Sequence, residues 1–352
     1  MGLRVLHSAD WHMDSPFAGF DARQREFLKQ ELRRVPGRIA EICRRENCDL
    51  VLLSGDIFDS PTCRDSAELV RNALESCGVP VCIAPGNHDY LTSCSPWLEI
   101  AWPENVYIFP VGLRSIALPK LDCRIYGAGY RSMDCGPLLE NFRAEGGETW
   151  HLAVLHGDPM RLNSPYCPVT SAQVRDSGLN YLALGHIHKS GSFRAGKTLC
   201  GWPGTPMGRG YDETGEKGVY ILDLGEQTTC RFLGLDTPRF HDIRVDTDRE
   251  TPEQLLPPVD RGDFWRLTLT GSGGGDGAQL RQQFAYLQNL EITDARTPRS
   301  DPWERMGTDT LEGTYFRLLR KKLEAAEVGD REIIQLAAEL SRDILEGREV
   351  VL

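Results

Sequence analysis

Ala84-Pro85-Gly86-Asn87-His88-Asp89-Tyr90 is the stretch around which the rest of the chain falls into place. It follows an apolar run, Val79 to Ala84, of the kind that forms a short buried strand. Pro85 and Gly86 end that strand and make a tight turn. The turn presents an amide oxygen, an imidazole and a carboxylate in succession, all groups that hold divalent metals or move protons. Taken alone, the segment reads equally well as a polar turn with a helix cap. Four other stretches that deliver the same chemistry at strand ends set that reading aside.

Upstream, Leu3 to Ser8 reads as a first strand ending at Ala9-Asp10-Trp11-His12. In extended chain, residues two apart face the same way, so Asp10 and His12 could reach one cation. Leu32, Val35, Ile39, Ile42 and Cys43 recur at helical spacing over Leu32 to Glu46, with Pro36 and Gly37 disturbing the start. Asp49 to Ser54 is a buried-strand run that ends in Gly55-Asp56-Ile57-Phe58-Asp59. A second helix places Ala67, Val70 and Leu74 on one face, with Gly78 as its stop. Strand, helix, strand, helix, strand implies parallel pairing and an α/β layered fold, whose functional loops gather at the carboxyl ends of the strands.

Downstream, Val106–Phe109, Ser115–Leu118 and Cys123–Gly127 read as strands of an antiparallel or mixed sheet. Trp150 to Leu155 leads into His156-Gly157-Asp158, and Tyr181 to Leu184 leads into Gly185-His186-Ile187-His188. Lys217–Leu224 and Thr229–Leu235 form a closing hairpin. Near Asp236 to Phe240 the chain leaves this domain, and Pro252, Pro257 and Pro258 mark a connector. Trp265, Leu267 and Leu269 alternate as a strand, Gly271–Gly277 is a flexible loop, Leu280, Phe284 and Leu287 form a helical stripe, and Leu290–Thr293 is a second strand. The tail carries two amphipathic helices, one with Phe316, Leu319, Leu323 and Ala326, the other with Ile333, Leu336, Leu340 and Ile344 and Asp330 as its N-cap. The expected division is residues 1–236, a small α/β accessory unit at 237–298, and a helical segment at 299–352.

The 352 residues carry a formal net charge of −11, which argues against broad adhesion to nucleic acid or anionic membrane. A site with two divalent cations would still supply local positive charge for a nucleic-acid substrate. No signal peptide and no membrane span is read from the sequence, so a cytoplasmic location without membrane association is expected. The eleven cysteines are scattered without a C-x-x-C pair, which removes zinc-ribbon and redox-motif readings.

The candidate ligands are Asp10, His12, Asp56, Asn87, His88, His156, His186 and His188. Five of the eight histidines fall in this set; His7, His151 and His241 do not. Mixed carboxylate, imidazole and amide donors suit Mn, Fe or Zn better than Ca.

The series Asp10-x-His12, Gly55-Asp56-x-x-Asp59, Gly86-Asn87-His88-Asp89, His156-Gly157 and Gly185-His186-x-His188 resembles the calcineurin-like metallophosphoesterase signature, in the same order. Asp14-Ser15-Pro16-Phe17 and Trp202-Pro203-Gly204-Thr205-Pro206 with Glu216-Lys217-Gly218 are similar to SbcD-type DNA repair exonucleases. The resemblance covers roughly the first two-thirds of the chain; the region from about Phe240 to Arg296 carries no motif that transfers.

That resemblance implies a four-layer α/β/β/α sandwich with a small α/β cap and a helical tail. It implies that Asp10, His12, Asp56 and His188 hold one metal, and that Asp56, Asn87, His156 and His186 hold the other, with Asp56 bridging. Manganese is the metal it implies. His88 would stand beside the metals as the catalytic proton donor, with Asp89 orienting it. The implied activity is phosphodiester hydrolysis of DNA by a water activated between two cations. The implied partners are DNA, an SbcC-like coiled-coil ATPase held by the C-terminal helices, and a second copy of the chain. The competing expectation is a phosphoesterase acting on a small nucleotide, a cyclic nucleotide or a phosphoprotein.

Overall fold

Alternating strands and helices open the chain in a computed structural model that describes residues 2–272, 277–297 and 300–347. In order come β1 (Leu3–Ser8), α1 (Ala22–Arg45), β2 (Leu50–Leu53), α2 (Ala67–Ser76), β3 (Val81–Ile83), the single turn α3 (Pro96–Glu99) and β4 (Val106–Ile108). Then follow β5 (Arg114–Leu118), β6 (Cys123–Gly127), β7 (Trp150–His156), α4 (Ser171–Asp176), β8 (Tyr181–Gly185), β9 (Gly191–Ala195) and β10 (Thr198–Trp202). The rest is β11 (Gly218–Leu224), β12 (Thr229–Gly234), β13 (Phe240–Asp246), β14 (Phe264–Thr270), α5 (Gly277–Gln283), β15 (Leu290–Asp294), α6 (Leu311–Ala325) and α7 (Val328–Leu345).

One six-stranded sheet has the order β12-β11-β1-β2-β3-β4 and a second the order β5-β6-β7-β8-β10-β9. In the first, β1 to β4 are parallel neighbours and the β11–β12 hairpin adds antiparallel to β1. In the second, β6, β7, β8 and β10 are parallel, with β5 and β9 antiparallel at the two edges. Side chains alternate across each strand. Val5, Leu50 and Leu52 therefore point into the space between the sheets, against Ile125, Leu152, Val154 and Ala183. Their neighbours Leu6, Val51 and Leu53 face the other way, onto Leu32, Val35 and Ile39 of α1 and Val70 and Leu74 of α2. On the far side of the second sheet, Leu155, Leu182 and Leu184 pack with Val174 of α4. The result is a four-layer α/β/β/α sandwich.

Several expectations shift. Helix α1 begins ten residues before Leu32, where Asp21 caps the Gln24 N–H and the Gln24 side chain caps Asp21 in return. Pro36 lies inside it, buried, and the helix runs on because Val35, Ile39 and Ile42 hold it to the first sheet. Val106–Ile108 joins the first sheet, parallel to β3. Phe240–Asp246, just past the expected exit at Asp236 to Phe240 and not read as a strand in the sequence, is a strand in a three-stranded sheet of order β13-β14-β15. Glu327 takes the cap position of α7, and Asp330 lies in its first turn. Residues 273–276 of the glycine-rich loop lie outside the described residues.

The chain divides into two compact units, one of Met1–Ile243, Pro258–Arg266 and Ala285–Glu291, the other of Arg244–Pro257, Leu267–Phe284 and Ile292–Leu352. In the second unit, α6 and α7 pair, and Phe316 of α6 is buried while Leu311, Leu318, Val328, Ile333 and Ile344 are exposed. Among the described residues no helix is long and apolar enough to cross a membrane, and all eleven cysteines are free.

Candidate metal centre

Every sequence-predicted site residue lies in the first unit, at the carboxyl end of a strand. Asp10 and His12 follow β1, Asp56 follows β2, Asn87 and His88 follow β3, His156 ends β7, and His186 and His188 follow β8. The loops are zipped together by the main chain: Asp10 N–H donates to the Gly55 carbonyl at 3.0 Å and His12 N–H to the Asp56 carbonyl at 2.9 Å. Asp10, His12, Asp56 and His186 all have positive φ, at 53°, 48°, 51° and 89°. Four non-glycine residues in that sparsely occupied region at one place mark backbone held against its preference, as functional sites often are. The glycines beside them allow close approach. A Cβ on Gly86 would collide with Asp56 Oδ1, and one on Gly185 with the Ser54 carbonyl.

Three sets of donors have ligand atoms within 4.8 Å of one another: Asp10, His12 and His188; His12, Asp56 and His88; Asp10, Asp56 and His156. Asp10, His12 and Asp56 are common to two sets each. His12 Nε2 faces His188 Nε2 at 3.2 Å and Asp56 Oδ2 at 3.8 Å. His156 Nε2 lies 3.3 Å from Asp56 Oδ2 and 2.8 Å from Asn87 Oδ1. His186 is at the margin: its main-chain N–H donates to Asp10 Oδ1 at 2.9 Å, and its ring lies 5.3 Å from the His156 ring and 4.6 Å from that of Tyr166. His88 stands edge-on to His12, with ring centroids 4.7 Å apart.

The outer nitrogens of these rings fix their tautomers. His12 Nδ1–H donates to Asp59 Oδ1 at 3.0 Å, His188 Nδ1–H to Glu213 Oε1 at 2.6 Å, and His156 Nδ1–H to the Ser54 carbonyl at 2.9 Å. Each leaves its Nε2 turned inward. Inward lone pairs of ring nitrogens and carboxylate oxygens at such distances repel unless a proton or a metal ion lies between them. The donor set therefore fits divalent cations that accept nitrogen and oxygen ligands, with outer groups orienting the imidazoles.

The electrostatics agree. Burial opposes the charge on Asp56, but His156, His12 and His88 outweigh it and hold the carboxyl well below the usual range. Burial would lower His156 too, yet Asp56 and Asp10 push it up to about 9. Burial and the neighbouring His156 push His186 down to about 4. Burial also lowers His12, whereas His188 is raised on balance by its bond to Glu213.

One expected contact is absent. The Asp89 carboxylate makes no hydrogen bond to the His88 ring; it is buried and accepts N–H bonds from Gly86, Asp56, Ile57 and Phe58, tying the β2 and β3 loops together. The His88 ring is held instead by the Asp59 carbonyl, 3.2 Å from Nδ1. His7, His151 and His241 lie apart from the three donor sets. His7 bridges Tyr181 Oη and Ser54 Oγ at 2.7 Å each, His151 stacks on Tyr126, and His241 stacks on Trp265. Two functional residues carry no sequence signal of their roles: Asp59 stands in a motif without an assigned task, and Glu213 stands in none. Their partners lie 47 and 25 residues away, beyond the reach of any local pattern.

The calcineurin-like phosphoesterase family matches residues 3–190, more than half of the chain, and the protein belongs to that family of metal-dependent phosphoester hydrolases. It is 33% identical over 267 residues to the uncharacterized metallophosphoesterase YhaO of Bacillus subtilis, covering 68% of this chain and 61% of that protein. It is 24% identical over 285 residues to the SbcD component of the nuclease SbcCD from the same organism, covering 67% and 70%. It is 22% identical over 374 residues to the DNA double-strand break repair protein Mre11 of Sulfurisphaera tokodaii, covering 95% and 92%. The aligned region is thus less than two-thirds of YhaO's own length.

Proposed function

We propose that the protein is a dinuclear-metal phosphodiesterase that cleaves DNA, as an exonuclease or endonuclease of repair. The observation that carries this reading is likeness beyond the phosphoesterase domain: the alignment with Mre11 takes in 95% of this chain. The ligand assignment follows the expected one. Asp10, His12, Asp56 and His188 hold one cation, Asp56, Asn87, His156 and His186 the other, and manganese is the proposed metal over iron or zinc. Two such ions supply a water that is deprotonated near neutral pH and positive charge for the phosphate oxygens. The protein's own groups do the rest. Asp10 is held by the His186 N–H and Asp56 by the His88 N–H, at 2.9 and 2.8 Å, so neither carboxylate turns away when substrate enters. His88, half-buried and bonded at Nδ1, has Nε2 free to pass a proton to the leaving oxygen. The exposed apolar residues of α6 and α7 suit an amphipathic docking surface for a coiled-coil ATPase of the SbcC type, and a second copy of the chain is the other proposed partner.

Purified protein with Mn²⁺ is expected to degrade end-labelled single- or double-stranded DNA and to cleave bis-p-nitrophenyl phosphate. The net charge of −11 favours a second reading, a phosphoesterase for a small nucleotide, cyclic nucleotide or phosphoprotein. Cleavage of the small ester with intact DNA would select it.

A further inference from the structure

His12 and His188 are each turned inward by a carboxylate, Asp59 and Glu213, and those two carboxylates come from different loops. Both lie at the rim of the same buried cluster, where like charges repel. Arg209 sits between them. Its Nη1 lies 3.3 Å from Asp59 Oδ1 and its Nη2 2.9 Å from Glu213 Oε1, and its main-chain N–H donates to Glu213 Oε2 at 2.8 Å. Its Nη2 also comes within 3.2 Å of His188 Nδ1, because both groups donate to the same Glu213 oxygen. Arg209 is thus no solvated surface charge, unlike Arg131, Arg161 and Lys189, which are exposed: only 21% of its side chain is accessible.

The geometry points to Arg209 as a positioning residue that sets the spacing of His12 and His188 and so the affinity of the cation held between them. Glu213 has both oxygens engaged and cannot turn, and Asp59 is drawn to the same guanidinium. A planar fork with two donors at fixed separation fixes the distance between two carboxylates, and each carboxylate fixes one ring. Lysine, a single point charge on a flexible stem, cannot hold both at once. His156, one of the two imidazoles assigned to the other cation, is turned by a main-chain carbonyl and does not depend on this clamp. The inference rests on the two-cation reading of the site and not on the choice of substrate.

The test is Mn²⁺ binding to metal-stripped full-length protein, followed by calorimetry and by the electron paramagnetic resonance of free Mn²⁺. The parent is expected to take up two ions. Arg209→Met is expected to keep one at parental affinity and to bind the other about 10- to 100-fold more weakly, the usual effect of removing an outer group that orients a ligand. Arg209→Lys should lie between the two. Turnover of bis-p-nitrophenyl phosphate by Arg209→Met should recover as Mn²⁺ is raised, which a merely misfolded site would not do. Parental affinity for both ions in Arg209→Met, or in Arg209→Lys, overturns the assignment. If Arg209→Met does not fold by circular dichroism, Arg209→Lys alone decides in the same terms. A parent that binds fewer than two ions overturns the two-cation reading and this proposal with it, whatever the DNA assay gives.

Discussion

On one side of Asp56, His12 and His188 are turned inward by the side chains of Asp59 and Glu213; on the other, His156 is turned by the main-chain carbonyl of Ser54. The first arrangement is assembled from loop residues and held by an arginine. The second is made by the ends of two core strands, since His156 ends β7 of the second sheet and Ser54 follows β2 of the first. A contact made by side chains can be removed by one substitution, whereas a contact made by a carbonyl persists through most of them. The His12–His188 side should therefore be the tunable half of the centre and the His156 side the robust half.

His88 belongs to neither half, and its loss should give the largest effect on turnover. His88→Ala is expected to lower kcat by about 10²- to 10⁴-fold, the range for a general acid, with both metal ions retained. Parallel loss of metal would instead make His88 a ligand, as its closeness to His12 and Asp56 allows. Next in size is Glu213→Gln, which keeps the shape but removes the charge that orients His188. One ion should bind about 10- to 100-fold more weakly. Equal weakening of both ions would erase the distinction between the halves.

The robust side carries a pH dependence of its own. Burial pushes His7 down to about 3 from its usual 6.5, and its ring bonds Ser54 Oγ and Tyr181 Oη. Between those two values the unfolded chain binds a proton at His7 that the folded protein does not. Stability from this group is thus complete above about pH 6.5 and lost as pH falls. From pH 7.5 to 5 the loss is about 2 kcal/mol for one such histidine. Urea unfolding at the two pH values should show that part of the drop missing in His7→Asn. An unchanged drop would mean that His7 is protonated in the fold.

Ser54→Ala should give the smallest change. It removes the hydroxyl bond to His7, worth about 1 kcal/mol, and leaves the carbonyl on His156 in place. Metal binding should match the parent in calorimetry; a large loss would show that the hydroxyl, not the carbonyl, places the ring.

Much of this is legible in the sequence because the signals are local. Apolar runs such as Leu50–Leu53 and Tyr181–Leu184 end in short polar motifs, and parallel order follows from the helices between them. What escapes a sequence reading depends on distance or on mixed composition. Strand β10 is fully buried yet reads Thr-Leu-Cys-Gly-Trp, without alternation or a β-branched run. The first two turns of α1 expose a charged face, so only its buried stripe from Leu32 onward stands out. Asp89 follows His88 in sequence, but adjacent residues in a turn need not face each other, and its carboxylate serves the main chain instead. Arg209 and Glu213 become meaningful only when the loop after β2 and the loop before β11 meet.

Anomalous diffraction from crystals grown with Mn²⁺ tests the proposed centre most directly. Two peaks about 3.5–4 Å apart are expected, with Asp56 between them, His12 and His188 on one and Asn87 and His156 on the other. A single peak, or a pair that does not share Asp56, would contradict it.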